Sequence, residues 1–277
     1  MTDMHRSYSS RPEQQRWWPK HIANWPLERQ MAYLNYWDKL TTKAFDLLLD
    51  QAKARGPYDF LLSLGDNTSG DDESGLLTPE AQGQFQNTQS ILRDNFSGSK
   101  MLFAQGGHDC GYNRARNLET VSQGFKKANE LLGPSWQSVK IGEFTLIILN
   151  SEKLLAVARY PEPIRRNLMM GQINFLASEL QQTNGNIIMA IHNPAALNLL
   201  GSTLKYNCQK IVLTLAGHLH LKFFNYPFYL VPLYRYIRTR IVPSPWGLAT
   251  PWGAIGTGGF CVLVLKDNHF RLQYHSL

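Results

Sequence analysis

The chain has 277 residues, of which 43% are hydrophobic and 18% charged, and its formal net charge is +7. This balance is typical of a globular protein with a sizeable core and excludes a disordered chain. The positive charge favours anionic partners such as phosphate esters, whereas no motif of a known nucleic-acid-binding module is present, so nucleic acid is expected at most as a substrate.

The cysteines and the lengths of the apolar runs argue against two further classes, disulfide-rich proteins and membrane-spanning proteins. Cys110, Cys208 and Cys261 are widely spaced and odd in number, which argues against a disulfide framework. No run of 18 apolar residues occurs, so no membrane span is predicted. The sequence does not predict a cellular compartment, and the cytoplasm is the default expectation. A signal sequence upstream of Met1 would change that expectation.

The chain before residue 56 combines an irregular segment with a helix. The chain opens with Asp3-Met4-His5, and residues 6–30 are rich in Arg, Gln, Trp and Pro, which predicts an irregular segment. Residues 30–54 carry apolar side chains at helical spacing and predict a helix that Gly56-Pro57 ends.

Short apolar runs further along the chain predict β-strands, most of which end in polar residues. Helical spacing predicts helices at residues 80–96, 121–132 and 171–182. Residues 258–265 and 270–274 predict a terminal hairpin. Alternating helices and strands favour an α/β fold with a layered sheet. The other predicted strands are residues 58–64, 100–104, 144–149, 186–191 and 211–215.

Histidines and aspartates collect just past these strands. Ligands of open α/β sheets bind at the carboxyl ends of the strands, so these endings are expected to converge. Imidazole and carboxylate together suit divalent transition metals, and one carboxylate can bridge two cations about 3.5–4 Å apart. The residues in question are Asp66, His108, Asp109, His192, His218 and His220.

Each motif also has a purely structural interpretation. Gly65-Asp66 is typical of a turn, and His192 before Asn193-Pro194 fits a hydrogen-bonded histidine at a strand end. Gly217-His218-Leu219-His220 is the most specific of the motifs. The order of the motifs along the chain, more than any one of them, favours a metal site.

That order resembles the pattern of the calcineurin-like metallophosphoesterase family. The family pattern is Asp-x-His, Gly-Asp, Gly-Asn-His-Asp/Glu, a histidine after a strand, and Gly-His-x-His. The matching segments span residues 3 to 220, nearly the whole chain, and are Asp3-Met4-His5, Gly65-Asp66, Gly106-Gly107-His108-Asp109, His192 and Gly217-His218-Leu219-His220.

The resemblance implies a dinuclear site with a defined role for each position. Asp3, His5 and His220 would hold the first divalent metal, an ion of Mn, Fe or Zn. Asp66 would bridge to a second metal held by His192 and His218. His108 would protonate or stabilise the leaving oxygen, and Asp109 would orient His108.

The resemblance also implies a fold. The expected architecture is one domain over residues 1–277, a layered α/β/β/α sandwich of the metallo-dependent phosphatase type with an insertion at about residues 6–55. In the family an apolar core strand leads into the Asp-x-His motif, and here only Met1 and Thr2 precede Asp3. The first core strand is therefore expected to be missing from this sequence, which would leave the neighbouring strand with an edge to fill.

A second departure concerns the second metal. The family's asparagine ligand is replaced by Gly107, so the second site is expected either to be weaker or to be completed by water or by a residue from elsewhere. Asn67, Gln105 and Asn113 are the candidate substitutes by nearness in sequence.

The expected function is hydrolysis of an anionic phosphate monoester or diester by a metal-bound hydroxide. The alternative, which the change at Gly107 permits, is a catalytically weakened or inactive family member that acts as a binding or scaffold protein. Oligomeric state and substrate identity do not follow from the sequence.

Overall fold

The structure is a computed structural model that describes residues 25–67, 78–110, 118–158, 163–205, 208–218, 248–249 and 259–276. The predicted ligands Asp3, His5 and His220 lie outside these residues, as do Asn113 and most of the first irregular segment.

The described part of the chain contains seven α-helices, nine β-strands and two 3₁₀-helices, Pro194–Leu200 and Cys208–Lys210. The helices are α1 (Leu27–Lys53), α2 (Pro79–Asn95), α3 (Gly107–Cys110), α4 (Leu118–Leu132), α5 (Ser151–Val157), α6 (Ile164–Gln182) and α7 (Gly201–Lys205). The strands are β1 (Phe60–Ser63), β2 (Lys100–Phe103), β3 (Gln137–Ile141), β4 (Phe144–Leu149), β5 (Asn186–Ile191), β6 (Ile211–Ala216), β7 (Leu248–Ala249), β8 (Gly259–Lys266) and β9 (His269–Ser276). None of these helices combines the length and the apolar character that a membrane span needs.

The central sheet has the strand order β3-β4-β5-β6-β7. Only the β3–β4 pair is antiparallel, and the other three pairs are parallel. The register places Leu149 beside Ile191 and Ile191 beside Ala216. The carboxyl ends of β4, β5 and β6 are therefore level, and the loops that follow them leave the sheet at one edge.

Alternate residues of the central strands pack to opposite sides, as the two-residue period of a strand requires. In β4, Ile147 and Leu149 pack with helical residues such as Leu154 and Leu176. Leu146 and Ile148 face the other way, toward side chains of β1, β2, β8 and β9. These four strands form two separate two-stranded sheets, β1-β2 and β8-β9. They cover the face of the central sheet opposite the one on which Leu154 and Leu176 pack.

Two further clusters join helices to the outer strands. Phe85 of α2 and Phe125 of α4 pack with Phe103 of β2. Leu49 of α1 packs with Phe260 of β8. The described helices therefore lie on both sides of the stacked strands.

The predicted mixed α/β class is confirmed, with differences at particular elements. Helix α1 begins at Leu27, because Pro26 fits the helix start and the irregular segment therefore ends earlier than residue 30. Strand β3 and helix α5 were not predicted, and neither were the short elements α3, α7 and β7. In β3 only Val139 and Ile141 are apolar, and α5 is only seven residues long, so neither gives a clear periodic signal.

Candidate metal centre

The loop after β1 is held in an unusual backbone conformation. Gly65 has φ +101° and Asp66 has φ +50°, both in the left-handed region. A non-glycine residue there is uncommon and is found where surrounding contacts enforce it. Asp66 is only 3% exposed, so its carboxylate is fixed in the interior at the end of β1.

The loop after β2 closes against Asp66. The backbone N–H of His108 donates to Oδ1 of Asp66 at 3.0 Å. A Cβ atom on Gly106 would collide with the backbone N and Oδ1 of Asp66, so only glycine permits this approach. One carboxylate oxygen of Asp66 is therefore fixed by the β2 loop, and the second oxygen, Oδ2, points toward β5.

His192 lies at the end of β5 with both ring nitrogens in defined positions. Nδ1 is 2.7 Å from the carbonyl oxygen of Leu64, and because a carbonyl only accepts, Nδ1 carries the proton. Nε2 lies 3.2 Å from Oδ2 of Asp66. A backbone carbonyl that fixes the tautomer of a histidine, with the other nitrogen aimed at the site, is the usual arrangement of metal-binding histidines.

His218 completes the cluster from the loop after β6. The N–H of Gly217 donates to the carbonyl of His192 at 3.0 Å, which holds this loop beside the end of β5. The His218 and His192 rings are 5.1 Å apart between centroids and inclined at 72°. His218 has φ +66° and is exposed, so it lies at the mouth of the cluster.

The donor set fits a divalent cation. One ligand atom from each of Asp66, His192 and His218 lies within 4.8 Å of the others. In neutral His192, the Nε2 lone pair faces a carboxylate oxygen, and two acceptors at 3.2 Å repel unless a positive charge lies between them. A metal ion or a proton on His192 supplies that charge, and three protein ligands with an open position are typical of catalytic metal sites.

Asp109 ties the β1 and β2 loops together. Its Oδ1 accepts from the backbone N–H of Asn67 at 2.8 Å, and its Oδ2 accepts from Asn67 Nδ2 and from the Gly106 N–H, each at 2.9 Å. Burial raises the pKa of Asp109 to about 6, and the negative charge of Asp66 acts in the same direction. The Gly106 N–H, His192 and Asn67 lower it. The role predicted for Asp109, orienting the His108 ring, stays a prediction.

The two candidate substitutes that the structure describes, Asn67 and Gln105, are engaged elsewhere. Asn67 Oδ1 accepts from Ser63 Oγ at 2.5 Å while its Nδ2 is held by Asp109. Gln105 donates to Asn129 at 2.8 Å and accepts from Asn150 Nδ2 at 2.6 Å. Neither amide points its oxygen into the cluster in this arrangement.

The structure brings together three of the predicted ligands, Asp66, His192 and His218, with His108 and Asp109 on the adjoining turn. Sequence reasoning missed the Leu64 carbonyl as the partner of His192 Nδ1, and it missed the hydrogen bonds from Asn67 to Asp109. Backbone acceptors leave no signal in a sequence. The placement of Asn67 directly after Asp66 was the available hint for its role.

Replacing Asp109 with asparagine should destabilise the fold by about 2–3 kcal/mol, because the new NH₂ group faces N–H donors and leaves them buried without an acceptor. Urea unfolding of metal-free protein at pH 8 measures this. Asp94→Asn on the exposed side of α2 is the control and should be nearly neutral. Equal midpoints for the two variants would contradict the role given to Asp109.

No family model matches the chain, and no curated protein matches it.

Proposed function

We propose that the protein is a metal-dependent phosphoesterase that hydrolyses an anionic phosphate monoester or diester. The observation that carries the proposal is the pair formed by His192 Nε2 and Asp66 Oδ2, 3.2 Å apart, with the His192 tautomer fixed by Leu64. This pair recruits a cation at the level carboxyl edge of the sheet, where α/β proteins bind their ligands.

The donor set favours Mn, Fe or Zn, because imidazole nitrogen with carboxylate oxygen is intermediate between hard and soft ligands. His192 and His218 would hold one ion with Asp66, and Asp66 would bridge to a second ion held by Asp3, His5 and His220. Bound cations would supply Lewis-acid activation of water and charge neutralisation at the phosphoryl group. We also propose that the fold is a layered α/β/β/α sandwich of the metallo-dependent phosphatase type.

The chain's own residues position the reacting groups. The N–H of His108 fixes one oxygen of Asp66, and the other oxygen stays directed at His192. The His108 side chain is half-buried on the turn next to the cluster, so it can approach a bound ester from the solvent side. In our proposal it donates a proton to the leaving oxygen, which matters most for a poor leaving group such as an alkoxide.

His108→Ala should lower turnover of an alkyl phosphate ester about 100-fold and leave metal content unchanged, since the proton donor is lost but no ligand is. An aryl ester with a good leaving group should lose much less. Comparing the two substrates with metal-replete protein measures the effect. Equal losses for both esters would argue against proton donation by His108.

The test of the function itself is turnover by metal-loaded protein. Chelator-treated protein, reloaded separately with Mn²⁺, Fe²⁺ or Zn²⁺, is assayed with aryl phosphate monoesters and diesters. Retained metal with hydrolysis supports the proposal. Retained metal without hydrolysis of either ester would favour the alternative, a binding or scaffold protein. The supporting observation for that alternative is Gly107, which has no side chain to bind a metal.

A further inference from the structure

A chain of hydrogen-bonded amide side chains lies behind the turn that carries His108. Its members come from four different elements and none of them belongs to the metal cluster. Three of the four are at most 1% exposed. A buried amide is stable only where its hydrogen bonds are made, so these bonds show what the chain holds in place. The members are Gln105 after β2, Asn129 of α4, Asn150 after β4 and Gln172 of α6.

The Gln105 amide makes four hydrogen bonds. Its Nε2 donates to Asn129 Oδ1 at 2.8 Å and to the carbonyl of Gly133 at 3.1 Å. Its Oε1 accepts from Asn150 Nδ2 at 2.6 Å and from the Cys110 thiol at 3.7 Å. Burial raises the pKa of this thiol, so the thiol keeps the proton that it donates. Rotation of the amide would break all four bonds, so the Gln105 side chain has one defined position.

Asn150 is fixed through its backbone and its side chain together. Its backbone N–H donates to Gln172 Oε1 at 2.9 Å, and its carbonyl accepts from Gln172 Nε2 at 3.1 Å. Its Oδ1 accepts from the backbone N–H of Lys153 at 2.8 Å and so caps α5. The central sheet, α5 and α6 therefore set the direction in which Asn150 Nδ2 holds Gln105.

Gln105 and Cys110 lie at the two ends of α3, the single turn that carries His108, and the bond between their side chains spans this turn. A helix of four residues is not stable by itself, so contacts with its neighbours decide its position. The metal cluster supplies one contact, from the Asp66 carboxylate to the His108 N–H. The Gln105 amide, held by Asn150, supplies another.

We propose that Asn150 and Gln105 are positioning residues for proton transfer to the leaving group, because they hold the turn that places the His108 ring beside a bound ester. This inference rests on the proposed function and deepens it. In the step concerned, the P–O bond to the leaving group breaks and its electron pair goes to oxygen. The His108 imidazolium gives its proton to that oxygen and becomes neutral imidazole. The attacking water gives its oxygen to phosphorus and a proton to solvent, from which His108 is protonated again.

The network should therefore matter for some substrates and not for others. An alkoxide leaves poorly without a proton, whereas an aryl oxide with a low pKa leaves without help. A misplacement of about 1 Å lowers the rate of a positioned reaction by up to about 100-fold. Movement of α3 should accordingly slow the hydrolysis of alkyl esters and leave that of aryl esters nearly unchanged.

The test is Asn150→Ser, which keeps a capping oxygen for Lys153 and the backbone bonds to Gln172 but loses the amide that holds Gln105. Turnover of an alkyl phosphate monoester by metal-loaded protein should fall about 10-fold, and turnover of an aryl ester less than about 2-fold. Metal affinity should stay the same. Asn150→Asp is the second variant. It keeps the shape and the cap but turns an acceptor toward Gln105 Oε1, and it should show the same dependence on the substrate.

The same substitution in a His108→Ala background separates positioning from a general structural role. A positioning residue acts only through the group that it positions, so Asn150→Ser should cause no further loss of alkyl ester turnover there. Amide exchange gives a readout that needs no substrate. The His108 backbone N–H should exchange about 10-fold faster in Asn150→Ser than in the parent, because the turn opens more often.

The matched control is Asn95→Ser, which also loses one amide donor. Asn95 Nδ2 donates to the carbonyl of Ile91 at 2.7 Å, at the end of α2 that packs with α1 and β8. This variant should keep the parent's ratio of alkyl to aryl turnover and the parent's exchange rate at His108. Urea unfolding of metal-free protein shows whether the two variants are equally stable.

Four results would overturn the positioning role. They are equal losses for both esters in the Asn150 variants, unchanged turnover of both esters, a further loss in the His108→Ala background, and unchanged exchange of the His108 N–H. A parent protein that hydrolyses neither ester would instead overturn the proposed function, and the catalytic role of the network with it. The two failures are therefore distinguished by whether the parent is active.

Discussion

His218→Ala should weaken the binding of Mn²⁺ or Zn²⁺ at the Asp66–His192–His218 cluster by more than about 1,000-fold. Removing a residue that only hydrogen-bonds to a metal ligand already lowers metal affinity about 10- to 100-fold, and His218 is itself a proposed ligand. The side chain is exposed, so the metal-free variant should unfold at the same urea concentration as the parent. Calorimetric titration of chelator-treated protein measures the affinity, and turnover should be lost with the metal.

The matched control for His218→Ala is His269→Ala. His269 is also exposed and lies at the start of β9, in the terminal hairpin. This variant should keep the parent's affinity and stability. If His218→Ala bound metal as tightly as His269→Ala, the assignment of the cluster as a metal site would be wrong, and the interaction between His192 and Asp66 would be a buried ion pair.

Gly65→Ala should destabilise the metal-free protein by about 3–5 kcal/mol, combining left-handed backbone strain with a clash in the core. The new Cβ would lie 2.5 Å from Nδ1 and 2.7 Å from Cγ of the His192 ring. That ring is fixed by Leu64 and completely buried, so it cannot move aside cheaply. Metal affinity should fall as well, because displacement of the ring separates Nε2 from Asp66.

Gly133→Ala isolates the backbone contribution to the Gly65 effect. Gly133 has φ +90°, close to the +101° of Gly65, but a Cβ there meets no atom within 4 Å. It should cost about 1–2 kcal/mol and leave metal binding unchanged. Urea unfolding of both variants, with calorimetric titration, checks the pair. Equal destabilisation would mean that the close approach of Gly65 to His192 has no energetic weight.

The core strands were the most predictable part of the molecule. The runs ending at Leu149, Ile191 and Ala216 are apolar except for Thr145, Asn186 and Thr214, because these strands are buried on both faces, and a fully buried strand needs no alternation. Their level ends follow from parallel pairing. The convergence of His192 and His218 could therefore be predicted from the positions of strand ends. Asp66 follows β1, which lies in a separate two-stranded sheet, and its place beside His192 depends on how the two sheets stack.

The features that fix the site's geometry were not predictable in the same way. The proton on His192 Nδ1 depends on a carbonyl 128 positions away in the chain. The two contacts of Asn67 with Asp109 depend on the approach of two loops, and that approach depends on Gly106. Such contacts come from backbone groups that every residue has, so no side-chain pattern marks them. The family resemblance predicted roles for these positions but not these bonds.

The position of His192 has a consequence for how the protein responds to chelators. Its ring bonds to Leu64 at the end of β1, and its carbonyl bonds to Gly217 after β6, so one residue connects the outer strands to the central sheet. A cation held at Nε2 would stabilise both connections, by about 2.7 kcal/mol when free metal is 100 times its dissociation constant. We therefore expect metal depletion to increase protease cleavage near the ends of β1 and β6 before it causes any global unfolding.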